Sequence, residues 1–156
     1  MLGWKDGETV PKQQQRTQML LSWAAKQGWK PTSVDLDGGQ GSITIPGCIA
    51  ATPIELPIDP VEGIPLEMPL VYFFGHATPS NNVELYKVLV KELAQMLERQ
   101  FTGNVESRAA GMVINTMGWI EGVGYEQNVL SQPRLRLGFG PISFHLVTSI
   151  IQLLGI

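Results

Sequence analysis

Disulfide chemistry is closed to this chain taken alone, because its 156 residues include one cysteine, Cys48. A single thiol makes no internal bridge, which suits a reducing compartment. With no histidine or second cysteine near it in sequence, Cys48 reads as a buried structural thiol rather than a nucleophile. Histidine is scarce too, and His76 and His145 have no partner at metal or triad spacing. No stretch reaches the roughly 20 apolar residues of a membrane-spanning helix. The nearest, Ile142 to Ile156, is interrupted by His145, Thr148, Ser149 and Gln152, so no membrane partner is expected. Met1 to Gln18 lacks the apolar core of a secretory signal, and its Lys5, Lys12 and Arg16 are too scattered to form a basic cluster. A net charge of −3 creates no field that would draw nucleic acid from a distance, so such a partner needs a local site. Also missing is any G-x-x-x-x-G-K-[ST] run, the loop whose backbone amides cradle nucleotide phosphates.

What is present describes a globular domain. Apolar residues make up 44% of the chain and charged residues 16%, enough to fill a core. The first 16 residues, with Gly3, Gly7, Pro11 and three consecutive glutamines, read as irregular. Thr17 is placed to cap a helix running to about Gln27, with Met19, Leu20, Trp23 and Ala24 on one face and Gly28 as its left-handed stop. Thr32–Asp37 reads as the first strand, and Ser42–Ile45 as a possible short one. Five prolines between Ala50 and Pro69 forbid helix and suggest an ordered connecting loop. Leu70–Phe74 is a continuous apolar run of the kind found in buried parallel strands. Asn81 and Glu84 stand at capping-box spacing, ahead of a stripe of Tyr86, Leu89, Val90, Leu93, Met96, Leu97 and Phe101 at helical period. Gly111–Asn115 is the third strand. This order points to an α/β layered fold.

The run Val34-Asp35-Leu36-Asp37-Gly38-Gly39-Gln40-Gly41-Ser42 delivers acids from an apolar strand into a glycine-rich turn. Magnesium-organising aspartates of phosphoryl-transfer enzymes occupy such a position. A calcium loop is excluded, since the twelfth position from Asp35 is Pro46 where a bidentate glutamate is required. A nucleotide-sugar D-x-D site and a plain capped strand end remain as alternatives. Glu55, Asp59, Glu62 and Glu67 read as a solvated acidic edge.

Three motifs together resemble the family of Clp-type polynucleotide 5′-hydroxyl kinases and pre-mRNA cleavage complex II subunits. Pro31 to Gly47 looks like the family's Walker B strand with its D-x-G-Q-G-S continuation, here Asp37-Gly38-Gly39-Gln40-Gly41-Ser42. Leu70 to Asn82 is similar to its second strand and T-P-x-x-N turn. Val113-Ile114-Asn115-Thr116-Met117-Gly118-Trp119, followed by Gly122, Gly124 and Tyr125, looks like its RNA-gripping clasp. The resemblance implies an incomplete P-loop NTPase-like α/β fold with a mostly parallel sheet over residues 19–126, flanked by non-homologous segments 1–18 and 127–156. It implies transfer of the ATP γ-phosphate to a 5′-hydroxyl RNA end in the nucleus, during mRNA 3′-end processing. Asp37, with Gln40 beside it, would be catalytic and would organise magnesium indirectly. Thr116 and Trp119 would grip the terminal nucleotide, where an indole stacks on a base for roughly 1–3 kcal/mol. ATP and Mg²⁺ are the implied cofactors, and a scaffold subunit of the cleavage complex is an implied partner.

The chain departs from that pattern where ATP should be held. The family's phosphate loop directly precedes the helix containing Met19-Leu20-Leu21-Ser22-Trp23, but here the residues are Gln13-Gln14-Gln15-Arg16-Thr17-Gln18. No residue is therefore assigned to ATP phosphates. The simplest account is a truncated or alternatively spliced product. The alternative function is a non-catalytic fragment of the cleavage complex that has lost ATP binding.

Overall fold

A computed structural model of the protein describes residues 10–65 and 68–115. Thr116, Trp119 and the segment 127–156 lie outside the described residues. Helix α1 (Val10–Lys26) leads into β1 (Thr32–Asp35) and β2 (Cys48–Pro53), then β3 (Leu70–Phe73). A 3-10 turn at Pro79–Asn81 precedes α2 (Val83–Gly103), α3 (Val105–Ala110) and β4 (Met112–Asn115). The four strands form one sheet in the order β3-β2-β1-β4.

The α/β class holds, but the sheet is mixed. β1 pairs parallel with β4, aligning Asp35 with Asn115. β2 runs antiparallel to both β1 and β3. The expected mostly parallel arrangement fails because Cys48–Pro53, whose last four residues fall within the expected connecting loop, is itself a strand. Proline is tolerated at its last position, where the ladder stops. β3 is an antiparallel edge strand, with Val71 and Phe73 exposed, not a buried parallel one. Ser42–Ile45 forms bends instead of a strand.

α1 begins seven residues before Thr17. Pro11 falls at its second position, where a missing N–H costs nothing. Gly28, at φ +82°, stops it as expected. Its buried face is Leu21 and Ala25, while Met19 and Trp23 are exposed, which rotates the expected face by about half a turn. α2 is capped by Asn82, not Asn81: the Asn82 carboxamide accepts from Leu85 N–H at 3.1 Å. The stripe below it is core, with Tyr86, Val90, Leu93, Leu97 and Phe101 buried.

Two apolar layers result. On one sheet face α2 covers Val34, Leu36, Ile49, Ala51 and Phe74. On the other, Leu21 and Ala25 of α1 meet Ala50, Ile54, Ile58 and Ile64, with Val113 packed beside them. The adjacent carboxyl ends of β1 and β4 emerge together, and parallel α/β sheets place their ligand sites at such strand ends.

Candidate functional site

Asp35 ends β1 and is 2% exposed. A carboxylate so buried must be satisfied by donors, and the turn after β1 supplies them. Oδ1 accepts from Asp37 N–H and from the Asn115 carboxamide, each at 3.0 Å. Oδ2 accepts from the Ser42 N–H and, at 2.8 Å, from the Ser42 hydroxyl. Both oxygens are engaged, so Asp35 organises the turn and has no lone pair directed outward.

Asp37 is placed differently. Its Oδ1 accepts from Gly39 N–H at 2.9 Å and Gln40 N–H at 3.0 Å, an Asx turn that fixes the carboxylate against its own backbone. Its Oδ2 has no donor among the described residues. Asp37 is half-buried and Gln40 exposed, so the first keeps one carboxylate oxygen unclaimed by the described residues and the second an exposed side chain.

The glycines explain how this turn closes. A Cβ on Gly38 would lie 2.8 Å from the His76 carbonyl oxygen, and one on Gly39 would lie 2.9 Å from that of Ala77. The turn is thus pressed against the backbone of the segment following β3. Below it, the Tyr86 hydroxyl donates to the Leu36 carbonyl at 3.0 Å. Leu36 N–H in turn donates to Asn115 O at 2.9 Å. Burial pushes the Tyr86 phenol well above its ordinary range, with the negative charges of Asp37 and Asp35 adding to the shift.

Of the residues named from sequence, Asp37 and Gln40 come together on this turn. Thr116 and Trp119, the first and fourth residues after Asn115 in sequence, lie outside the described residues. Sequence reasoning missed Asp35 and Asn115 as site residues. An acid two residues before Asp37 and an amide at a strand end were visible, but not their 80-residue hydrogen bond.

The fit to cofactors is uneven. One unclaimed Asp37 oxygen suits a water of a magnesium shell, since Mg²⁺ retains waters and takes few protein carboxylates. No cluster of three metal-ligating side chains occurs among the described residues. Among the described residues, the stretch 13–18 forms no cradle for ATP phosphates. Residues 13–18 lie inside α1, and beyond the first helical turn each N–H is committed to the carbonyl four residues back. Those amides are not free to face an anion.

Residues 16–131 match a family described as "mRNA cleavage and polyadenylation factor CLP1 P-loop". The chain is 80% identical over 110 residues to an Arabidopsis thaliana "Protein CLP1 homolog", covering 70% of this chain and 25% of that protein. It is 44% identical over 108 residues to a Mus musculus "Polyribonucleotide 5'-hydroxyl-kinase Clp1", with 69% and 25% coverage. Among solved structures, a Clp1p–Pcf11p complex superposes with a TM-score of 0.56 at 30% identity, over 63% of this chain and 26% of the other. The chain spans about a quarter of the length of these curated relatives.

Proposed function

The chain belongs to the CLP1 P-loop family of mRNA cleavage and polyadenylation factors, and from that premise we propose that it works in the nucleus in mRNA 3′-end processing. It carries the acid half of a polynucleotide 5′-hydroxyl kinase site and docks on a scaffold subunit of the Pcf11 kind, without ATP-dependent transfer of its own. The carrying observation is helix α1, which runs through residues 13–18 and commits the amides that would hold ATP. A phosphate cradle provides several charge-assisted hydrogen bonds, each about 1.5–3 kcal/mol, and their loss removes useful nucleotide affinity.

A second reading, active kinase, is favoured by Asp37. Its outward oxygen is what a 5′-hydroxyl or a magnesium-bound water needs as acceptor, and the Gly39 and Gln40 amides hold it in place. Magnesium would supply neutralisation of phosphate charge there. Thr116 and Trp119 would hold the RNA end.

The test is transfer of labelled γ-phosphate from ATP to a 5′-hydroxyl RNA oligonucleotide, by purified folded chain and its Asp37→Ala variant. No transfer by either, with the scaffold subunit still captured, is the expected result. Transfer by the parent that disappears in Asp37→Ala would replace it with the kinase reading.

A further inference from the structure

Strand β3 bounds the sheet on one side, and its backbone is used toward β2 alone. The antiparallel register sets Phe73 opposite Cys48 and Val71 opposite Ala50, and Phe74 N–H donates to Gly47 O at 2.7 Å. Along an antiparallel strand successive residues turn their N–H and C=O to alternate sides. Leu70, Tyr72 and Phe74 therefore bond toward β2, while the amides and carbonyls of Val71 and Phe73 point away from the sheet. No strand pairs with them among the described residues. The side chains of the same two residues are open as well, Val71 at 43% and Phe73 at 71% exposed. Edges that stay unpaired ordinarily carry a lysine, another charge or a proline. Leu70-Val71-Tyr72-Phe73 carries none of these.

We propose that β3 pairs antiparallel with β3 of a second copy of the chain, about a two-fold axis at Tyr72. In that register Val71 of each copy faces Phe73 of the other, and every outward amide and carbonyl of both residues is used. Other registers with the same facing fall short. Centred on Val71, the pair sets Phe73 against Pro69, which has no N–H to give. Centred on Phe73, it sets Val71 against Gly75, whose N–H already donates to Gly47 O at 2.8 Å. The exposed side chains are matched too, since pairs of a β-branched and an aromatic residue stabilise neighbouring strands. From Pro69 to Gly75 no residue is charged, so identical strands meet without repulsion. Each copy's open edge is consumed by the other's, and the assembly closes at two. This self-match selects a second copy over an unrelated extended segment. So short a contact belongs to the small, transient class of interfaces, and the dimer forms in proportion to concentration. The pairing involves neither the acid turn nor phosphoryl transfer.

The experiment is sedimentation equilibrium of the full chain between about 10 and 300 µM, the range of weak association. The average mass should rise with concentration toward that of two chains. Phe73→Lys puts like charges at the paired edges and should raise the dissociation constant at least about tenfold. Val71→Pro should weaken pairing similarly, because it removes one outward N–H and leaves the bonds to β2 in place. It keeps the question open to test should circular dichroism show that Phe73→Lys does not fold. Val105→Lys, at an exposed apolar position on α3, should leave association unchanged. The register has its own readout. Residues on the axis form a non-hydrogen-bonded pair with Cα atoms about 4.5 Å apart, within reach of a disulfide. Tyr72→Cys should therefore give a covalent dimer on mild oxidation, and Leu85→Cys on α2 should not. Cys48 is buried and, lying opposite Phe73, belongs to the other face of the sheet from position 72. A chain that stays monomeric throughout, a dimer that both edge substitutions leave intact, or assembly beyond two would overturn the proposal.

Discussion

The Asn115 carboxamide donates to the buried Asp35 carboxylate across 80 residues of sequence, at 3.0 Å. Together with the Leu36 N–H bond to Asn115 O, this contact joins the carboxyl ends of β1 and β4. It makes the acid turn a product of tertiary structure and not of the glycine-rich loop alone. Asp35 also receives Asp37 N–H and both donors of Ser42, so the outward placement of Asp37 depends on it.

Asp35→Ala should therefore cost about 3–5 kcal/mol, because it strands several half-buried donors at once, hydrogen bonds to charged groups being worth roughly 1.5–3 kcal/mol each. Asn115→Ala removes one of those bonds and should cost about 1–2 kcal/mol. Urea denaturation of both variants checks the order. Equal costs would mean that Asp35 is not the hub.

Gly38→Ala and Gly39→Ala place a methyl 2.8–2.9 Å from backbone carbonyl oxygens of His76 and Ala77, which cannot swing aside as a side chain would. Each should lower stability by about 1–3 kcal/mol and shift the Asp37 and Gln40 amide resonances. Gly103→Ala is the control. A methyl there meets nothing within 4 Å, and it should stabilise by about 0.4–1 kcal/mol. Thermal melts of the three variants distinguish close contact from a general preference for glycine.

At high pH the linkage runs through Tyr86. Its folded phenol is raised above the ordinary value of 10.0 by burial and then by Asp37 and Asp35. A raised folded value stabilises fully below the unfolded pKa and is lost as pH climbs above it. Stability should thus be flat in this respect to about pH 10 and fall beyond it. Tyr86→Phe should remove that fall while costing about 1 kcal/mol at neutral pH through the lost bond to Leu36 O. Denaturation at pH 8 and pH 10.5 measures both effects.

At low pH the corresponding group is Asp59, whose carboxylate accepts from Glu62 N–H at 3.0 Å and Val61 N–H at 2.7 Å. These bonds hold its pKa below 3.8, the Glu62 contact most and then that of Val61. A lowered folded value means that the turn is secured above the unfolded pKa and loosens as pH falls through the folded one. The Val61 and Glu62 amide shifts should titrate together with a midpoint below 3.8, and Asp59→Asn should erase that transition.

How much of this was legible in the sequence depends on whether a feature is local. α2 could be read almost residue for residue, because its stripe follows from helical period alone and tertiary burial agrees with it. β2 could not. Cys48–Pro53 is short and ends in proline, and its strand character comes from being flanked by β1 and β3. The first turns of α1 were hidden by Pro11 and three glutamines, residues that look irregular yet are compatible with helix. At the site, Asp37 announced itself by its glycines. The larger structural role of Asp35 rests on Ser42 and Asn115, and no local pattern points to a donor 80 residues away.

The register of the sheet also sets the order in which the acid turn can be assembled. Asp35 lies opposite Ala50 in β2, fifteen residues on, but opposite Asn115 in β4, eighty residues on. Closing the longer loop costs about 1.5 kcal/mol more in chain entropy, and on a ribosome β4 emerges after everything else described here. The β1–β2 ladder can therefore form while Asp35 still lacks its last donor. Until β4 arrives, a half-solvated carboxylate sits at the end of an open strand edge, the state in which a nascent chain is most exposed to wrong pairing. Arrival of Asn115 closes that edge of β1 and completes the hydrogen bonding of the acid in one step, so a formed turn marks a sheet in which β4 has taken its place.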